Sequence, residues 1–424
     1  MSTHDLVIEN AYLHHRDDVV DIGIDDGRIT TIDTDLEDGT ETIDADGGLV
    51  SPGFVDCHKH IDRAFAATGD RRPAGLDEPF ATRGFNELFD GYYEETSLET
   101  ITERAIENVL MAVEAGTTHV RTHVGADHVI GTDTMTACLR ARDRLADVVD
   151  LQLVPMAGSG ILADGGETAL RAAIELGLEH VTDRDAILLG GVDPATRNGD
   201  IERTIERWFA VATDYDIDID VHLQDGGYIG VYTIGRIAEH ARRHDYADRV
   251  TISHGFSLAQ LPDWWLDDVI EAMAAVDFDV VTCFNSIRCS MPIRPLLEGG
   301  IDVGHGTDND YDFVIPHGHA DSLDAARLIS LKLHGNWRFS EEYRWSESND
   351  ALALLWELIT SEGAAVLGIE DYGIEEGNPA DLVVLDESSP QWAILRQATR
   401  THVIKRGRIV ARNGEIVPSI DPLA

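Results

Sequence analysis

The stretch Val55-Asp56-Cys57-His58-Lys59-His60 decides how this chain is read. It starts as an apolar run and ends in two histidines two residues apart. In an extended strand, residues i and i+2 share a face, so both imidazoles project the same way and Lys59 turns away. Alone, such a pair is weak evidence, since two polar residues at a strand end look the same. The order of the later segments strengthens it. Val221-His222 ends a second apolar run, Val250-Thr251-Ile252-Ser253-His254 a third, and Gly306-Thr307-Asp308-Asn309 lies beyond Ile301-Asp302-Val303. The pair together with His222 and Asp308 gives three imidazoles and a carboxylate, a set that suits a divalent metal kept open for a water molecule.

Around these segments helix and strand alternate. Ile106, Val109, Leu110 and Val113 fall at helical spacing within 101–115, and Gly116 is a stop. His119 to Val124 follows as a strand. Ile201, Ile205, Trp208, Phe209 and Ala212 mark another helix, followed by the strand Ile217 to His222. Runs at Val250–His254, Val280–Cys283 and Ile301–Gly304 continue the pattern. Repeated strand-then-helix units predict a parallel sheet, and their number fits a closed (β/α)8 TIM-like barrel. An open doubly wound sheet is the alternative, but no GxGxxG follows the first strand. In Ile217–His222, Asp218, Asp220 and His222 share one face. If helices cover the other, His222 points into the barrel at the carboxyl end of its strand, where barrel enzymes hold their active sites.

Both chain ends read as β. Val20-Asp21-Ile22-Gly23-Ile24 alternates, and Asp26-Gly27 signals a hairpin into Arg28–Ile32. Leu382–Leu385 is a strand, and Val403–Val410 suggests a hairpin with Asn413-Gly414 as the next turn. The expected organisation is a small β-sandwich built from 1–52 and 366–424, with the barrel over 53–365.

The 424 residues include 78 acidic and 33 basic side chains, a formal net charge of -45. The acid is spread along the chain, and only Lys59, Lys332 and Lys405 are lysines. Such a surface suits concentrated salt, where self-repulsion is screened, and marks the chain as halophilic in type. It would repel nucleic acid and anionic membranes. No stretch is apolar enough to span a bilayer, and MSTHDLVIEN lacks the features of a secretory signal, so a cytoplasmic protein is expected. Cys57, Cys138, Cys283 and Cys289 form no CxxC pair and read as reduced thiols.

In these segments the chain resembles the amidohydrolase superfamily, and within it cytosine deaminase and its relatives. The resemblance spans nearly the whole chain. It includes Pro52-Gly53-Phe54-Val55-Asp56 before the histidine pair, His119–Val124, Asp150-Leu151-Gln152-Leu153-Val154, Asp220-Val221-His222, Ser253-His254 and Asp371-Tyr372-Gly373-Ile374. It implies that His58, His60, His222 and Asp308 hold one divalent metal, zinc or iron(II). It implies that His254 and Asp308 handle the proton of the reacting water. Gln152, Asn309 and His123 match positions that contact substrate or support the site. Asp225 stands where the family carries a proton-shuttling glutamate, one methylene longer. Two-metal members use a lysine on a middle strand as a bridge, and no lysine lies between Lys59 and Lys332, so a single ion is expected. Asn309 replaces a second family aspartate, exchanging an acceptor-only group for an amide that also donates. Asp62 and Arg63, just after the pair, either form an ion pair or meet an anionic group.

The expected activity is hydrolytic deamination of a nitrogen heterocycle of cytosine, pterin or triazine type by metal-activated water. The alternatives are cleavage of a cyclic amide or an N-alkylamino substituent, and a metal-binding scaffold without catalysis. The expected partner is a small heterocycle, with self-association into a homo-oligomer.

Overall fold

The computed structural model describes residues 4–37, 39–67, 85–283, 291–335 and 349–419, with backbone alone at 85–87, 332–335 and 349. Eight parallel strands form its centre: β6 (Phe54–Lys59), β7 (Thr117–Gly125), β8 (Asp150–Met156), β9 (Leu189–Val192), β10 (Ile219–His222), β11 (Val250–Ser253), β12 (Asp279–Cys283) and β13 (Val303–Gly306). They neighbour one another in chain order from β6 to β13. The ring closes just past β13. The Asp308 N–H donates to the His58 carbonyl at 2.8 Å, and the His60 N–H donates to the Asp308 carbonyl at 3.1 Å. Segments that carry ligand-type side chains therefore form the seam of the barrel.

Helices return the chain between strands, as right-handed parallel crossovers require. They are α1 (Phe85–Glu95) and α2 (Leu98–Glu114), α3 (Asp133–Leu145), α4 (Gly166–His180), α5 (Ile201–Tyr215), α6 (Gly227–His244), α7 (Asp263–Ala274) and α8 (Ile293–Glu298). The last strand is followed by α9 (Ser322–Gly335), α10 (Asn349–Leu358) and α11 (Ser361–Val366). Local signals set their ends. Ser97 caps α2 by accepting from Thr100 N–H, and Asp200 caps α5 by accepting from Arg203 N–H. The apolar stripe of α5 buries Ile205, Trp208 and Phe209 against the strands. Val55, Cys57, Val281 and Cys283 cluster with Ala364 and Val366 of α11.

The chain ends supply two further sheets. One has the order β3 (Arg28–Asp33), β2 (Asp18–Asp25), β1 (Leu6–Leu13), β4 (Glu41–Asp44). The other runs β17 (Glu415–Ile416), β16 (Arg408–Arg412), β15 (Arg400–Lys405), β14 (Leu382–Leu385), β5 (Val50–Pro52). β5 pairs antiparallel with β14, so the first segment of the chain completes the sheet of the last. Ile8, Ile22, Ile24, Leu382, Val384 and Ile404 form their common core. A short helix, α12 (Pro390–Arg396), lies between β14 and β15. The architecture is a TIM-like barrel with a small β-sandwich.

Lys405 joins the two parts. Its buried ammonium donates at 2.7 Å to Asp150, at the start of β8, and at 2.7 Å to Asp381. No described helix is long and apolar enough to cross a membrane.

Candidate metal centre and active site

Three of the four expected ligands meet at the seam between β6 and β13, and the fourth comes from across the barrel. Gly306 permits the approach: a Cβ there would lie 2.3 Å from the Cβ of His58. His58 Nε2 and His60 Nε2 face Asp308 Oδ1 at 3.8 and 3.5 Å. His222 Nε2, at the end of β10, lies 3.1 Å from His60 Nε2. His58, His60 and Asp308 each offer a ligand atom within 4.8 Å of the others, as do His58, His123 and His222. His123 is thus part of the same cluster, with its ring 4.2 Å from that of His58 and 4.4 Å from that of His222.

The electrostatics of the cluster fit a cation. Burial, with neighbouring ring and guanidinium charge, holds His58, His60 and His222 well below the ordinary histidine range. Burial brings His254 down to about 3, with His123 acting in the same direction. These rings are therefore neutral, and no ion pair with Asp308 holds them. His58 Nε2, His60 Nδ1, His222 Nδ1 and both ring nitrogens of His123 and His254 are buried without a hydrogen-bond partner. Unpartnered buried nitrogen is costly, and a divalent ion among the mutually facing Nε2 atoms of His58, His60 and His222 would satisfy His58 Nε2 and separate the other two. Burial pushes Asp308 up to about 7, against the pull of Arg63, with the charges of Asp312, Asp310 and Asp56 adding to the rise. A nearby cation would favour its ionised form.

The support is built from below. Ser253 donates to Asp220 Oδ1 at 2.7 Å, and His58 Nδ1 meets Ser253 Oγ at 3.0 Å. This chain fixes the His58 ring and leaves Nε2 facing the cluster. Asp220 also accepts from Arg121 at 3.2 Å and lies 3.5 Å from His123 Nε2. Burial opposes its ionisation, yet the neighbouring His123 and Arg121 and its hydrogen bonds bring its carboxyl below the usual value. Two residues of the site carry left-handed backbone, His254 at φ 72° and Asp308 at φ 63°. Such strain in a residue with a Cβ costs of order 1 kcal/mol and gathers at functional sites.

Above the cluster opens a cavity of about 690 Å³. His60, His222, His254, Asp308 and Asn309 form its floor, and Phe89, Tyr93, Ile130, Met156, Phe256 and Phe313 much of its wall. Asn309 is engaged on both sides. Its Oδ1 accepts from Arg63 Nε at 2.9 Å, and its Nδ2 donates to Asp308 Oδ1. Arg63 also approaches Asp312 at 3.3 Å, while Asp62 accepts from Tyr93 and the Gly125 N–H. Asp62 and Arg63 therefore serve separate partners, and no bond between them is formed.

Two expected residues stand away from the site. Gln152 lies near the start of β8, at the opposite end of the barrel, where it lines a separate cavity of about 980 Å³. Its Oε1 accepts from Arg121 Nε at 2.8 Å and its Nε2 donates to the Leu367 carbonyl at 2.9 Å. It cannot touch a molecule held at the histidines. Asp225 turns from the cavity as well. Its carboxylate accepts from the N–H groups of Ala195 at 2.8 Å and Thr196 at 3.2 Å, and Gln224 takes its place in the wall. Asp225 caps a loop and is not positioned as a proton shuttle.

Another cluster of ligand type, His119 with Asp150 and Asp381, lies at the barrel base. The Lys405 ammonium sits among these groups, so the charge of the carboxylates is already met.

Residues 166–411 match the amidohydrolase family. The chain is 42% identical over 417 residues to N-isopropylammelide isopropyl amidohydrolase of Pseudomonas sp. (strain ADP), covering 97% of this chain and 98% of that protein. The crystal structure of N-isopropylammelide isopropylaminohydrolase from Burkholderia multivorans superposes with a TM-score of 0.85 at 29% identity, covering 97% of this chain and 99% of that one. 5-Methylcytosine deaminase from Klebsiella pneumoniae, at 24% identity, shares the fold with a TM-score of 0.81 over 96% of this chain and 97% of its own.

Proposed function

The chain belongs to the amidohydrolase family, and we propose that it hydrolyses the bond between a ring carbon of a nitrogen heterocycle and an exocyclic alkylamino nitrogen. The carrying observation is the cavity itself. It joins a floor of ligand-type side chains to an aromatic and aliphatic wall of Phe89, Ile130, Met156, Phe256 and Phe313. A purely polar substrate would leave that wall wet, whereas an alkyl group would bury it. The relative of 42% identity is named for removing an isopropylamino group from such a ring. Release of ammonia from an unsubstituted amino group is the narrower case of the same cleavage.

In this reading His58, His60, His222 and Asp308 hold one divalent ion, zinc or iron(II), and His123 packs against them. Such an ion, when bound, supplies Lewis acidity that makes water nucleophilic near neutral pH. The water oxygen bonds to the ring carbon, and the bond to the exocyclic nitrogen breaks. Asp308 takes the water proton at Oδ2, the oxygen that Asn309 leaves free, and delivers it to the departing nitrogen as a neutral amine. His254, with neither ring nitrogen engaged, hydrogen-bonds the attacking oxygen. Arg63 and Asn309 hold Asp308 in place. No role falls to Gln152 or Asp225.

The test is a product assay with zinc- or iron-loaded protein and two dihydroxy-1,3,5-triazines, one carrying an isopropylamino group and one an amino group. The expected result is isopropylamine with a dihydroxy ring converted to the trihydroxy ring. Metal-loaded protein that cleaves no exocyclic carbon–nitrogen bond in either compound overturns the proposal.

A further inference from the structure

We propose that Gln224 reads a lactam edge of the substrate, pairing its side-chain amide with an adjacent ring C=O and N–H. This rests on the reading of the cavity as a heterocycle site and adds which face of the ring is recognised.

Most polar groups of the cavity wall are already committed. Tyr93 donates to Asp62 at 2.7 Å, and Arg63 and Asn309 are bound to each other. Asp127 accepts from the N–H groups of Val129 and Ile130 and from Ser159 Oγ. Asp90 and Arg197 have partners as well. Gln224 differs. Its side chain lines the cavity, and no hydrogen bond to its amide is made by the described residues. Apart from His254, which the proposed reaction already uses, it is the polar lining residue among those described whose side chain makes no hydrogen bond at either its donor or its acceptor.

Its backbone is held firmly. The Gln224 N–H donates to Asp193 Oδ1 at 2.6 Å, and the next residue is fixed by its own carboxylate on the loop of Ala195 and Thr196. Gln224 stands two residues past His222, in the loop after β10, and lines the same cavity as the ligand cluster. A side chain so placed is preorganised at its root and mobile only at its tip.

The chemistry selects the partner. A carboxamide presents an acceptor and a donor side by side. Oxygenated azines in their keto form carry C=O next to N–H along each edge, which is the complementary pair. The ring N–H would donate to Gln224 Oε1, and Gln224 Nε2 would donate to the ring carbonyl. An unsubstituted aromatic ring nitrogen, an acceptor alone, satisfies only half of this. A ligand that pairs both ends of the amide gains a second hydrogen bond over one that pairs a single end.

The experiment measures binding of 1,3,5-triazine-2,4,6-trione and its tri-N-methyl derivative to metal-loaded protein by calorimetry, for wild type, Gln224→Leu and Gln224→Glu. Wild type should prefer the trione by about tenfold or more, and Gln224→Leu should lose about tenfold in trione affinity and most of that preference. Gln224→Glu, with two acceptors facing C=O, should bind the trione more weakly than Gln224→Leu does. For amine release the loss in both variants should fall mainly on KM. Equal binding of the two ligands to wild type, or trione affinity unchanged in both variants, overturns the inference. Amine release that persists while Gln224 proves indifferent sinks the inference and leaves the reaction standing. Gln224-dependent trione binding without amine release does the reverse.

Discussion

Asp193 and Asp225 cap each other's loops at the mouth of the barrel. Asp193 Oδ1 accepts from the N–H groups of Gln224 and Asp225 at 2.6 and 3.0 Å, and the Asp225 carboxylate accepts from Ala195 and Thr196. Both carboxyls are buried. The exchange locks the loop after β9 to the loop after β10 and turns Gln224 toward the cavity.

That pairing has an electrostatic cost, which gives a pH prediction. Burial, and then the charge of Asp225, raises Asp193 to about 6 from an ordinary 3.8. A raised folded value means the protonated form favours folding. The contribution is full below pH 4, is lost as pH rises through 6, and amounts to about 3 kcal/mol for a shift of this size. Asp193→Asn keeps an acceptor oxygen for Gln224 and Asp225 and removes the charge. Its stability relative to wild type should rise between pH 4 and pH 7, measured by urea unfolding at several pH values. A difference that stays flat across that range contradicts the account.

The Ser253 hydroxyl stands between Asp220 and His58 Nδ1, so Ser253→Ala unties the ring without touching a ligand atom. Metal affinity should fall about 10- to 100-fold, the range for lost outer-shell partners. Competition with a chelator of known affinity measures this. Unchanged affinity would show that packing alone fixes the His58 ring.

Lys59 is fully buried and donates to Thr307 Oγ1 and Asp310, with Asp56 at 3.8 Å. It clasps β6 to the loop that carries Asp308. Lys59→Met leaves the two carboxylates without their cation and should cost about 3–5 kcal/mol in denaturant unfolding. Adding Asp310→Asn should recover part of the loss. A single variant within about 1 kcal/mol of wild type argues against the clasp.

Much of the architecture is legible in the residues because the barrel strands end in chemically distinctive side chains. The runs at 119–124, 217–222 and 250–254 lie on β7, β10 and β11. β9 is harder to read, since Leu189-Gly190-Gly191-Val192 looks like a loop. Its glycines answer to tertiary packing: a Cβ on Gly191 would lie 2.4 Å from the Trp208 ring, and one on Gly190 2.7 Å from the Met156 Cβ. The final barrel strand begins at Val303, later than the apolar run from Ile301 suggests.

The site is legible in part. Alternation places Asp220 on the face of His222, and the structure uses it to support His58 through Ser253. In the loop after β10 the structure turns Gln224 to the cavity, whereas the family resemblance points to the Asp225 carboxylate. Gln152 misleads for a related reason. Its residue type suits substrate contact, yet its place early in β8 commits it to the barrel base. The apolar wall has no local signature, because it gathers single residues from α1, β8 and the loops after β7, β11 and β13.

Whether His58, His60, His222 and Asp308 share one ion decides the rest. Metal analysis of protein loaded with zinc or iron(II) and freed of excess, alongside folded His222→Ala and Asp308→Ala variants, tests it most directly. The account predicts one tightly held ion per wild-type chain and near-complete loss in both variants with secondary structure retained. Wild-type protein that holds no ion, or variants that keep a full equivalent, would contradict it.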